Sequence, residues 1–263
     1  MINFHGHTAL VTGAGPNIGQ AVCVSLGKGG AFVYCNDARA EAAEASAQAV
    51  RDAGGKAEAL PFDISDPRAV EAAVIKARDA GRLIDLLVNN AAVTMPKSTL
   101  DVDATEWRRV IDVNLTGTFL CCQAVARALV AADKPGRIVN VASTSGHRGR
   151  RDAIAYCSSK GGVLNMTRAM AVDLIGHNIR VNSVSPTKTG ASVGALESMA
   201  SRPVDDIPMG RLGEPHEQAN AIVFALSDMA SFIVGEDIRV DGGALATWAS
   251  RSPAAGRDVK FNI

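Results

Sequence analysis

At 263 residues with 47% hydrophobic content, the chain can bury a sizeable core and falls within the length that one α/β domain fills. Lys plus Arg number 27 and Asp plus Glu number 27, so no net field draws the protein to nucleic acid or to an anionic membrane, and the expected partner is a small molecule. Five cysteines (Cys23, Cys35, Cys121, Cys122 and Cys157) form no C-x-x-C pair and have no His at ligand spacing, which argues against a disulfide framework or a zinc site; no metal is expected.

The first residues run from "INFHGH" straight into an apolar stretch, without the charged flank and long apolar core of a signal peptide. No run is read as approaching the roughly 20 apolar residues of a membrane span, so the expected location is the cytoplasm. Short β-rich runs then alternate with Ala-rich stretches of helical period. "ALVT" precedes a helix at 19–28, "AFVYCN" one at 39–53, "KAEALPFD" one at 67–80 and "IDLLVNNA" one at 104–132. "GRIVNVAS" follows, then 153–175, "NIRVNSVSP", 214–229 and "DIRVDG". Strand, helix, strand repeated this way predicts an α/β chain with a Rossmann-like doubly wound parallel sheet of about seven strands and helices on both faces, as a single domain over 1–263. The interval 187–213, rich in Gly and Pro, breaks the pattern and reads as a mobile cover over a site.

In an open parallel sheet, ligands lie beyond the carboxyl ends of the strands, where the strand order reverses. The stretch "TGAGPNIG" (12–19) sits at such an end. Gly13, Gly15 and Gly19 read G-x-G-x-x-x-G, one residue longer than the common dinucleotide fingerprint, and a plain strand-to-helix turn is the alternative. As a phosphate loop, its glycines admit a pyrophosphate to the start of a helix from about Asn17, where N–H groups and dipole favour negative charge. Asp37, 24 residues after Gly13 at the end of the second strand, is suited to accept from the adenosine ribose hydroxyls, with a helix cap as the alternative. A carboxylate there repels a 2′-phosphate and favours NAD over NADP, with Arg39 close enough to soften the preference. Asp63, ending the third strand, suits the adenine or, equally, a helix N-terminus.

By "AYCSSK" the chain resembles the short-chain dehydrogenase/reductase family over nearly its whole length. The family loop T-G-x-x-x-G-x-G is matched at Thr12, Gly13 and Gly19, with Asn17 replacing the middle glycine. Asn takes positive φ more readily than other non-Gly residues, so little strain is expected. "NNAA" (89–92), "DVNLTG" around Asn114, "IVNVASTSG" around Ser143, Tyr156-x-x-x-Lys160, "IRVNSVSP", "GRLGEPHE" and "VDGG" follow in the family's order. Ala92 and Thr187 stand where glycine is usual, which leaves 187–192 without a secure cofactor role. The resemblance implies cofactor contacts from Gly13, Asn17, Ile18, Gly19, Asp37, Asp63, Ile64, Asn90, Tyr156 and Lys160, with Thr189 as a candidate at the carboxamide, and it implies a homo-oligomer, commonly a tetramer.

Oxidising an alcohol by hydride transfer needs a base for the hydroxyl proton, and Tyr156 is the candidate. A free phenol, with a pKa of about 10, needs a nearby cation to act near neutral pH. Lys160 lies one helical turn on, on the same face. Ser143 offers a hydroxyl to hold the substrate oxygen, and the resemblance gives Asn114 the bracing of a helix and a water near the lysine. The function expected is hydride transfer between a secondary alcohol or ketone and NAD(H). A ketone reductase using NADPH and a non-catalytic cofactor sensor are the alternatives. "SGHRGRRDAIAY" (145–156) adds Arg148, Arg150 and Arg151 just before the tyrosine. They read either as a clamp for a carboxylate or phosphate on the substrate, Arg148 foremost, or as a solvated loop or subunit contact that pairs with Asp152.

Overall fold

The computed structural model describes residues 2–190 and 203–247, so part of the expected cover, 191–202, lies outside the described residues. Seven strands form one parallel sheet: β1 (Thr8–Thr12), β2 (Phe32–Cys35), β3 (Lys56–Ala59), β4 (Leu86–Asn89), β5 (Gly136–Val141), β6 (Ile179–Pro186) and β7 (Asp237–Val240). Their order is β3-β2-β1-β4-β5-β6-β7, all neighbours parallel, which bears out the Rossmann-like sheet and puts the reversal between β1 and β4. The helices are α1 (Ile18–Lys28), α2 (Ala40–Asp52), α3 (Pro67–Asp79), α4 (Ala104–Ile111), α5 (Thr118–Ala131), α6 (Ile154–Leu174) and α7 (Pro215–Leu226).

Both faces of the sheet are covered, which is why β1 and β4 are buried at every residue rather than at alternate ones. Successive side chains on a strand point to opposite faces. Val11, Val33, Val88 and Val139 therefore join one core with Val22, Leu26, Ile222 and Leu226 of α1 and α7. Leu10, Tyr34, Leu87 and Ile138 join the other with Val74 of α3 and Cys121, Val125 and Leu129 of α5. Edge strand β3 alternates instead, with Lys56 and Glu58 exposed.

The helix starts are written locally. Asp66 caps α3 by accepting from the Arg68 N–H, with Pro67 in the first turn, and Asp103 and Glu106 form a reciprocal capping box on α4. The stretch 104–132, read from sequence as one helix, is interrupted by a π-helical segment at Asp112–Gly117, and that widened turn carries Asn114. The run Ala104–Ala131 is the one described helix long and apolar enough to cross a membrane, contrary to the expectation of no such run; here Val113, Cys121, Val125 and Leu129 pack it on the sheet as a core helix.

Candidate active site

The candidate site residues lie just beyond the carboxyl ends of β1 to β6, with Asn114 on the π segment and Tyr156 and Lys160 on α6. Gly13 follows β1 with φ 60°, and a Cβ on it would lie 2.5 Å from the Ala91 Cα, so only glycine lets this loop pass the segment after β4. A Cβ at Gly19 would overlap the Gly13 carbonyl oxygen. Thr12, buried, ties the two loops by accepting from the N–H groups of Asn90 (3.1 Å) and Ala91 (3.2 Å), while the Asn90 amide donates to the Gly13 carbonyl at 2.7 Å. These loop contacts form the close cradle that a pyrophosphate at the start of α1 requires, so the chain fits a dinucleotide.

Asn17 is the N-terminal boundary residue of α1, with φ 106° and ψ −139°. This is not the left-handed helical region that Asn tolerates but the extended positive-φ region that is nearly reserved for glycine. The expectation of little strain is therefore corrected. The side chain spans to the segment after β6, donating to the Thr189 carbonyl at 3.3 Å, and Thr189 is itself buried.

Asp37 does not cap α2; the boundary residue is Arg39, whose backbone N–H and Nε donate to the Asp37 carboxylate at 3.0 and 3.3 Å. A Cβ on Gly15 would approach Asp37 Oδ2 at 3.1 Å and Arg39 Nη2 at 3.5 Å, so the acid and the guanidinium both border the loop. Asp63 is likewise no cap of α3, that place being taken by Asp66. Burial alone would raise its pKa, but donors from Ser65 (backbone 2.9 Å, hydroxyl 2.7 Å) and Arg109 (3.4 Å) hold it below the usual range. Ile64 beside it is buried, against Gly117 of the π segment.

Ser143 follows β5 and heads a short 3-10 turn, accepting from the Ser145 N–H at 3.1 Å. Tyr156 and Lys160 lie one turn apart near the start of α6, 7% and 2% exposed. The Lys160 ammonium is 5.9 Å from the centre of the Tyr156 ring and donates to the Val141 carbonyl at 2.6 Å; no carboxylate meets it among the described residues. Burial without a counter-ion pulls its pKa from 10.5 down to about 8. Asn114 pairs with both backbone groups of Val93, at 2.8 and 2.9 Å, and donates to the Ser159 hydroxyl at 3.1 Å. Ser159 donates to the Tyr156 carbonyl at 2.8 Å. The π segment is thus tied to the tyrosine's backbone through a serine that sequence reading did not single out.

Also unforeseen is His147, whose Nε2 lies 2.9 Å from Asp237 and 3.2 Å from the Ser185 hydroxyl, anchoring the loop after Ser143 to β6 and β7. Arg148 is committed to the protein: it donates to the Ala244 carbonyl (3.1 Å) and to Asp206 (3.1 Å), an acid also held by Lys188 at 2.6 Å. Arg151 lies 3.8 Å from Asp152, the pairing anticipated for this loop. Cys157 is free and only partly buried, one residue round the helix from Tyr156. A surface hollow of about 310 Å³ lies between α3 and α5 among Val70, Val74, Leu120 and Ala128, none of them a site residue.

A doubly wound sheet with a glycine cradle after β1 and a tyrosine beside a buried lysine defines a nicotinamide-nucleotide-dependent oxidoreductase. Residues 13–244 match a family model described as enoyl-(acyl carrier protein) reductase. The chain is 40% identical over 250 residues to cis-4-hydroxycyclohexanecarboxylate dehydrogenase of Sinomonas cyclohexanicum, covering 92% of this chain and 98% of that one. It is similar to the structure of a short-chain type dehydrogenase/reductase from Mycobacterium marinum (TM-score 0.88, 34% identity, 93% and 98% covered). NAD⁺-bound xylitol dehydrogenase (TM-score 0.84, 33%, 91% and 99%) and a gluconate 5-dehydrogenase from Burkholderia cenocepacia in complex with NADP and tartrate (0.86, 31%, 93% and 97%) share the fold. The chain belongs to the short-chain dehydrogenase/reductase family and is an oxidoreductase that transfers hydride between an alcohol or ketone and a nicotinamide coenzyme.

Proposed function

We propose that the protein is an NAD-preferring dehydrogenase of a secondary alcohol, with Tyr156 as base, Lys160 and Ser143 as its partners and Asn114 as the positioning residue. One observation carries this: Lys160 is buried beside Tyr156 without a counter-ion, an expensive arrangement that packing alone does not require. When bound, the coenzyme supplies the hydride acceptor. Gly13, Asn17, Ile18 and Gly19 would hold its pyrophosphate, Asp37 its adenosine ribose, Asp63, Ile64 and Asn90 the adjoining parts, and Thr189 its carboxamide side.

Tyr156 Oη takes the substrate hydroxyl proton as the carbon is oxidised. The Lys160 ammonium favours the phenolate that must form, and from the same position it would hold the ribose hydroxyls of a bound coenzyme. Ser143 Oγ donates to the substrate oxygen and holds it against the phenol. Asn114, through Ser159, keeps the first turn of α6 in register with the segment at Val93.

The NAD preference rests on Asp37, a carboxylate bordering the glycine loop. Arg39, 56% exposed and 3.3 Å from it, favours the second reading, an NADPH-dependent reductase, if its guanidinium turns to a 2′-phosphate. A cytoplasmic, homotetrameric enzyme belongs to the same proposal. Supporting it are five unpaired cysteines, four of them buried, and the exposed apolar side chains of Val172, Met229 and Phe232. The test is kcat/KM with NAD and NADP over a panel of secondary alcohols, for the wild type and Asp37→Ala. The variant is expected to narrow the NAD preference by about tenfold, the value of one charge-assisted hydrogen bond. A wild-type preference for NADP overturns the coenzyme assignment.

A further inference from the structure

The three arginines ahead of the catalytic tyrosine fare differently. Arg148 is held by Asp206 and the Ala244 carbonyl, and Arg151 points into solvent beside Asp152, its side chain 95% exposed. Arg150 alone turns to the chemistry: its guanidinium carbon lies 5.4 Å from the centre of the Tyr156 ring. Among the described residues it meets no carboxylate, and Asp206, the acid that meets its neighbour Arg148, is shared with Lys188. On the opposite side of the balance, Lys160 brings a second cation to the same ring, 5.9 Å from its centre, also without a counter-ion.

A chain with equal numbers of acidic and basic residues thus gathers two unneutralised cations around one buried ring. The inner one has its place in proton transfer. The outer one is exposed and free to fork, and its cation–π contact leaves its N–H groups available. An alcohol oxygen at Tyr156 Oη puts the rest of the substrate within a few bonds of this guanidinium.

We infer that Arg150 is a specificity-determining residue that binds a carboxylate on the substrate, so that the alcohol oxidised here is a hydroxy acid. The planar fork matches a carboxylate in two parallel hydrogen bonds, which a neutral amide of the same shape cannot supply. The inference rests on the dehydrogenase reading of the site, and its test is chosen to need no turnover.

The probe is cyclohexanecarboxylate, with cyclohexanecarboxamide as its neutral match, titrated calorimetrically into the enzyme saturated with NADH. The wild type is expected to bind the acid about tenfold or more tightly than the amide. Arg150→Ala is expected to lose that margin, Arg150→Lys to keep part of it, and Arg151→Ala to keep all of it. Acid and amide binding equally to the wild type, no acid binding at all, or a margin unchanged in Arg150→Ala each overturns the inference. Failure of every alcohol to reduce either coenzyme would instead sink the dehydrogenase reading, a result the titration does not share.

Discussion

Replacing Lys160 by Met removes the ammonium while keeping an unbranched side chain of similar length, and the coenzyme-free protein is expected to become more stable as it becomes inactive. Burial drops the lysine from 10.5 to about 8, so the folded protein holds this proton less tightly than the unfolded chain does. The destabilisation is fully present below pH 8 and is relieved as pH rises from about 8 to 10.5, because there the unfolded chain still carries the proton that the folded one has lost. The gap corresponds to about 3 kcal/mol. Losing the 2.6 Å bond to the Val141 carbonyl leaves that oxygen without its donor and offsets about 1–2 kcal/mol of the gain. A net gain of about 1–2 kcal/mol at pH 7 raises Tm by about 2–8 °C in a domain of this size. The assay is thermal unfolding of both proteins, without coenzyme, at pH 7 and near pH 9.5. The advantage should be clear at the lower pH and shrink at the higher. A variant less stable than the wild type at pH 7, or an advantage equal at both, would refute the claim that the site is maintained against the stability of the fold.

Tyr156→Phe keeps the ring and loses the proton acceptor, so kcat should fall by about 10²–10⁴-fold while NADH binding, followed by fluorescence, stays intact; substantial residual turnover would remove Tyr156 from its role. At Asn17, glycine relieves about 1–3 kcal/mol of backbone strain but forfeits the bond to Thr189, whereas alanine forfeits the bond and keeps the strain. Urea midpoints should therefore rank Asn17→Gly above Asn17→Ala, and the reverse order would contradict the strained φ. Glu217, held down to about 2 first by its hydrogen bond from Arg211, contributes stability that is present above about pH 4.5 and is lost as pH falls toward 2. Because both side chains are partly exposed, Glu217→Gln should cost only about 1 kcal/mol at pH 7, with the difference closing in acid.

The elements legible in the sequence are those whose signal is local. Short apolar runs alternating with helical stretches locate all seven strands within a few residues, and Asp66 and Asp103 mark helix starts by their own side chains. What depends on distant partners is not legible. The helical period continues unbroken through "DVNLTG", so nothing local announces the π turn or the pairing of the Asn114 side chain with the backbone of Val93, 21 residues earlier. Asp37 and Asp63 each admitted a capping role until Arg39 and Asp66 were seen to hold those positions. The arginine run could be recognised as a charged loop, but Arg148 is committed to Asp206 and Ala244, 58 and 96 residues away.

The same distant contacts tie the coenzyme side of the site to the substrate side. Asn17 in the glycine loop reaches Thr189 after β6, and from that segment Lys188 reaches Asp206, which meets Arg148 in the loop that follows Ser143. Each link is a single hydrogen bond or a partly exposed ion pair, worth on its own about 1 kcal/mol or less. In series they run from the glycine loop after β1 to the loop that carries Arg150. The series thus joins the two loops through contacts that lie outside the sheet. The exchange of glycine for Asn17 then has a physical return: the side chain that strains the backbone is the one that begins the series.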